Sequence, residues 1–168
     1  ETLPYFETNR RMPIDNTLTT DQLTLPFIES TQAVFSMMLG CSAEPVDSCQ
    51  CDAFGSELDL SGIIGFTGAL RGTIVISLNR NLAFSVAETL LGLRPTSVDA
   101  DVRDMVGELA NMIGGNAKER LNNADIILGL PTVITGQGHE VSFDPDAEVQ
   151  QLCFSTPWGP FAVRVALR

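Results

Sequence analysis

Two runs of β-branched and apolar residues, LDLSGIIGFTG and GTIVISL, fill residues 58–78 and are broken only around 69–72. Strands joined by so short a link pair antiparallel, because a parallel neighbour needs a crossover of roughly a dozen residues or more. The end of the chain repeats the arrangement, with VQQLCFST and FAVRVAL joined through the tight link Pro157-Trp158-Gly159-Pro160. IILGLPTVITG reads as one further strand. A sheet of this kind has an apolar face that must be covered, and three helical segments are available to cover it.

In the first of these, residues 21–39, Phe27, Ile28, Thr31, Val34, Phe35 and Met38 recur at spacings of three and four. The spacing predicts a helix with a buried stripe, begun near Pro26 and ended by Gly40. Asn79 is placed to cap a second helix over residues 80–91, ended by Gly92 and Pro95. The third and longest helix covers about residues 100–122, with Ser97 and Asp99 as competing caps. The order helix, hairpin, helix, helix, strand, hairpin predicts an α+β domain, a largely antiparallel sheet with long helices packed on it. Each half has a helix feeding a strand and a hairpin, a faint internal duplication without the short period of a solenoid.

A chain of 168 residues suits one such domain, read here as 21–168, after a loose leader over 1–20 rich in Thr, Pro, Asn and Arg. The chain opens on Glu1, as a fragment or processed form does, and Met12 is a candidate native start. The hydrophobic fraction of 44% excludes disorder throughout. No apolar run reaches the roughly 18 residues of a membrane span, and no secretory signal opens the chain, so a cytoplasmic location is expected. Asp and Glu number 21 against 10 Lys and Arg, a net charge of -11 that opposes general nucleic-acid binding. Lys118 is the one lysine.

Cys41, Cys49, Cys51 and Cys153 form no C-x-x-C pair, and the single His139 is far from the C-x-C, so no metal site is expected. Free thiols in a reducing compartment are the expectation, with a disulfide among Cys41, Cys49 and Cys51 as the alternative.

The third helix carries the chemistry. On a helical wheel Val102, Val106, Leu109 and Ile113 share one side, flanked by Met105, and form the core stripe. Asp104, Glu108, Asn111, Gly115 and Lys118 stand opposite. Any surface helix needs a polar face, but Gly107, Gly114 and Gly115 each cost about 1 kcal/mol relative to Ala. A helix that accepts such costs is clearing its surface for close approach, although helix-to-sheet packing is the competing reason at Gly107 and Gly114. Asn111 can orient a water but cannot take its proton, and Glu108 can pair with a cation. A Ser/His/Asp triad and a phosphate-binding glycine loop are both missing.

The segment DMVGELANMIGGNAK, with its spacing D104-x-x-x-E108-x-x-N111, resembles the signature of the CheC/CheX/FliY phosphatases of bacterial chemotaxis, and CheX most. PFIESTQAVFSMMLG is similar to the first CheX helix and GIIGFTGALRGTIVISL to its central hairpin, so the likeness runs over about residues 26–167. The resemblance implies a CheC-like, pseudo-duplicated mixed α/β sheet fold. It also implies hydrolysis of the aspartyl phosphate of a CheY-like response-regulator receiver. By position, Asn111 would orient the attacking water and Glu108 would pair with the receiver's lysine, with Asp104, Gly115 and Lys118 on the partner-binding face. This chain would then hold no cofactor, Mg2+ belonging to the receiver. CheC-type members carry E-x-x-N on both long helices. Here the first helix offers Glu29 and Gln32, E-x-x-Q, so one active site is expected. The resemblance further implies a homodimer formed by continuing the sheet across two chains.

Two other readings compete with an enzyme. One is a non-catalytic receiver-binding or flagellar-type docking module using the same helix, and the other an acidic structural domain of a larger assembly. Retention of both Glu108 and Asn111 favours the enzyme. His139, in a Gly-rich turn, is expected to be solvated, Trp158 to anchor a hairpin or an interface, and Phe143-Asp144-Pro145-Asp146 to form a turn lacking the other ligands of a calcium loop.

Overall fold

The computed structural model describes residues 20–47, 58–121 and 125–168. The leader expected over 1–20 lies outside the described residues except for Thr20, which opens the first helix. In chain order the elements are α1 (Thr20–Met38), β1 (Glu44–Val46), β2 (Leu60–Gly68), β3 (Gly72–Leu78), α2 (Arg80–Leu91), α3 (Ala100–Arg120), β4 (Ile126–Leu128), β5 (Thr132–Thr135), β6 (Glu148–Thr156) and β7 (Gly159–Leu167).

Both hairpins form as their short links require. Leu60 pairs with Leu78 through to Phe66 with Gly72, and Glu148 with Leu167 through to Thr156 with Gly159. All pairings are antiparallel, in the order β1-β6-β7-β3-β2-β4, with β5 also on β2. This order makes the internal duplication concrete. The two hairpins meet at β7 and β3, and the short strand following each long helix pairs with the hairpin of the other half.

Alternation along the strands sends Leu60, Ile64, Ile74, Ile76, Phe161 and Val163 to one face, where α1 and α3 cover them. Phe35 of α1 stacks on Phe161 at 4.7 Å between centroids, and Phe161 on Phe154 at 5.1 Å. On the helix-free face lie Ser61, Ser77, Arg164 and Ala166, crossed by the segment between β5 and β6. The Asn79 carboxamide accepts from the Leu82 amide at 2.8 Å, and Gly92 closes α2 with φ 75°. Asp99 prevails over Ser97 as the cap of α3, accepting from the Val102 amide at 3.0 Å.

The structure departs from the sequence reading in four places. Pro26 lies inside α1 and does not begin it. Burial of Phe27, Val34 and Phe35 offsets the roughly 3 kcal/mol that an interior proline costs. Met38, read as part of the stripe, is exposed, and Leu39 is buried just after the helix. IILGLPTVITG is two strands, because Pro131 has no amide to give the ladder and the edge breaks at residues 129–131. Cys153 is disulfide-bonded rather than free, while Cys41 is a free thiol. Pairing of Val46 with Cys153 brings β1 and β6 side by side there; Cys49 and Cys51 lie outside the described residues.

Candidate functional site

α3 lies close over β2 because Gly62 has no side chain. A Cβ there would meet the Val106 carbonyl oxygen at 2.8 Å and the Ala110 Cβ at 3.1 Å. With Val102, Leu109 and Ile113 fully buried beneath it, the rotation of the helix is fixed. Its opposite stripe therefore faces outward, as the wheel predicts: Asp104 and Glu108 are exposed, and Asn111, Gly115 and Lys118 are half-buried. The five sequence-selected residues thus share one continuous surface along about four turns.

The three helical glycines separate into two roles. A Cβ on Gly107 would touch Val133 and Pro131 at 3.4 and 3.5 Å, and one on Gly114 would touch Ile64 and Ile74 at 3.4 Å, so these two serve packing. Gly115 meets nothing within 4 Å and leaves open space one turn beyond Asn111.

Among the described residues neither Asn111 nor Glu108 has a hydrogen-bond or ion-pair partner, and Lys118 has no carboxylate partner. Four carboxylates elsewhere do: Glu29 with Arg120 at 2.9 Å, Glu88 with Arg94 at 2.8 Å, Asp59 with Arg80 at 3.4 Å, and Asp144 with Arg168. An amide and a carboxylate one turn apart, both free of internal bonds, can be directed at another molecule. Glu29 is tied to Arg120 across α1 and α3, so the E-x-x-Q stretch does not present a free acid. Lys118 is less outward than the wheel implies, because its stem lies over a small apolar crevice between α3 and β4 lined by Phe66, Leu121 and Leu128.

Among the described residues no group of three His, Cys, Asp or Glu converges as metal ligands, and no helix is long and apolar enough to cross a membrane. His139 is not merely solvated. Its Nε2 lies 2.7 Å from the Ser61 Oγ, which lies 2.9 Å from the Ser77 Oγ, and its Nδ1 lies 2.7 Å from the Gly136 carbonyl oxygen. The imidazole ties the β5–β6 segment to the back of the sheet. Trp158 packs half-buried against the core as a hairpin anchor. Leu130, next to the Pro131 that packs on Gly107, is 91% exposed. The sequence reading missed it, and its only signal was G-L-P inside an otherwise apolar strand.

Solved structures share this arrangement. The chemotaxis protein CheX from Vibrio vulnificus is 28% identical with a TM-score of 0.79, the match covering 90% of this chain and all of that one. CheX from Desulfovibrio desulfuricans is 28% identical with a TM-score of 0.74, covering 88% of this chain and 99% of that one. A CheX-CheY-BeF3-Mg2+ complex from Borrelia burgdorferi shares the fold at 24% identity and a TM-score of 0.69, covering 87% of this chain and 97% of that one. No curated protein matches the chain in sequence. The family model described as chemotaxis phosphatase CheX matches residues 60–155, more than half of the chain and including the whole outward stripe of α3, and the chain therefore belongs to the CheX family.

Proposed function

We propose that this protein hydrolyses the aspartyl phosphate of a CheY-like response-regulator receiver in the cytoplasm. The observation that carries the reading is the Glu108 and Asn111 pair, whose side chains are unpartnered among the described residues, on the outward face of α3 in a chain of the CheX family. The Asn111 carboxamide, inserted beside the phosphoaspartate, holds a water in line with phosphorus. The water oxygen bonds to phosphorus as the bond to the aspartate oxygen breaks. Aspartate leaves as the carboxylate, and both protons of the water end on the inorganic phosphate product. No protein base is required, so a side chain that cannot accept a proton suffices. Glu108 pairs with the receiver's lysine and sets the register of the complex. Asp104 and Lys118 extend the contact, and Gly115 leaves room for the receiver's backbone. Mg2+ belongs to the receiver's own site; a CheX complexed with CheY, BeF3 and Mg2+ makes that class of partner the natural choice. The tie between Glu29 and Arg120 favours a single active site per chain.

Sub-stoichiometric protein added to a phosphorylated CheY-like receiver is expected to shorten the phosphoryl lifetime with multiple turnovers. Binding with an unchanged lifetime across a panel of receivers would instead establish the docking-module reading.

A further inference from the structure

On the helix-free side of the sheet, beneath the segment that leads from β5 to β6, is a cavity of about 370 Å³. This is within the usual range for a small-molecule site, about 300–1,000 Å³. Ile63 and Ala166 of the sheet and Val141 of the overlying segment give it an apolar lining, and Phe143 adds an aromatic ring. The Arg164 guanidinium stacks on that ring, 5.4 Å from its centroid. Arg71 and Arg168 line the cavity as well, their backbones joined by a 2.9 Å hydrogen bond from the Arg168 amide to the Arg71 carbonyl. In a chain of net charge -11, Arg71 and Arg168 line this cavity beside one carboxylate, Asp144, which pairs with Arg168, while Arg164 stands over the Phe143 ring. Among the described residues Arg71 and Arg164 have no carboxylate partner.

We infer that this cavity binds a phosphate monoester carried on a flat aromatic body, at a site separate from the face of α3. Guanidinium forks match the oxygens of phosphate in pairs. The Phe143 ring, backed by Arg164, is a platform on which an aromatic body stacks. Charge selects phosphate over carboxylate. A carboxylate entering beside Arg168 merely equals the Asp144 it displaces, whereas a phosphate monoester, with a second pKa of about 6, brings nearly two charges at neutral pH. The site does not depend on the phosphatase reading, since it uses none of the residues on α3.

Calorimetric titration of the full chain with AMP and phenyl phosphate, beside adenosine and inorganic phosphate, tests the assignment. Both aromatic phosphates are expected to saturate one site, with adenosine and inorganic phosphate at least about tenfold weaker. Arg71→Ala should weaken AMP by about tenfold or more, as loss of a charged hydrogen bond does. Asn111→Ala should leave AMP binding unchanged. Asp144→Asn should tighten it several-fold by removing the competing carboxylate, the opposite of what a purely structural Asp144 gives. The inference is overturned if neither aromatic phosphate saturates, if inorganic phosphate matches AMP, if Arg71→Ala binds like the parent, or if Asp144→Asn weakens binding while melting shows the fold intact.

Discussion

Asn111 and Glu108 stand one turn apart on α3, and their proposed roles separate by substitution. Asn111→Ala removes the group that orients water and leaves receiver binding largely intact, so turnover is expected to fall by about 10² to 10³. The melting temperature should hold, because the carboxamide makes no hydrogen bond among the described residues. Parent-level turnover in that variant would remove the assignment. Glu108→Ala should weaken the complex, and Glu108→Lys should weaken it further by setting two cations together. A receiver-binding titration of the two variants checks this ordering; equal affinity in both makes Glu108 an ordinary solvated acid. The surroundings of Asp144 lower its pKa. The Asp146 amide foremost, and Arg168 with it, hold its carboxyl below the ordinary 3.8 against a smaller opposing effect of burial. Because the folded pKa is the lower one, its contribution to stability is present above 3.8 and is lost as pH falls through the lowered value. The stability difference between the parent and Asp144→Asn, followed by denaturation across that acid range, should shrink as the pH drops.

At the scale of elements, the seat of α3 on β2 depends on one missing methyl group. Gly62→Ala places a Cβ 2.8 Å from the Val106 carbonyl oxygen, so helix or strand must shift, at about 1–3 kcal/mol. A lower urea midpoint at unchanged slope is the expected reading. Gly115→Ala should instead gain up to about 1 kcal/mol, since the new methyl meets nothing and the helix loses its most flexible residue. Gly115→Leu should keep that stability and lower turnover on the receiver by crowding the approach to Asn111. Normal turnover in Gly115→Leu would show that clearance there has no function.

At the scale of the whole molecule, the sheet has two edges among the described residues. One carries β4 and β5, with Ile127 64% and Leu130 91% exposed, and the other carries β1 and the uncovered half of β6. Unpaired strand edges of this kind invite a two-fold partner, and a homodimer joined edge to edge is the expected assembly. Each chain brings a charge of -11, so the dimer should tighten as salt screens the repulsion. Light scattering over a dilution series at two ionic strengths checks both points; one chain mass of 18.1 kDa at every concentration rejects the dimer. A dimer contact that buries Asn111 would exclude the proposed catalytic face.

Local chemistry was enough to write much of this architecture into the sequence. Short links forced both hairpins antiparallel, Asn79 and Gly92 delimited α2, and the apolar spacing in α3 turned Glu108 and Asn111 outward, because each depends on neighbours a few residues away. What needed partners distant in the chain was decided only in three dimensions. Pro26 stays within α1 because a core assembled from other elements holds Phe27 and Phe35. Gly107 and Gly114 serve packing, and Gly115 clearance, according to what lies across from each. The pairing of each short strand with the other half's hairpin, the bond between His139 and Ser61, and the cavity lined by Arg71 and Arg168 all join residues tens of positions apart or more. Periodicity reports which way a side chain faces, but the identity of what it faces is set by the packing of the whole chain.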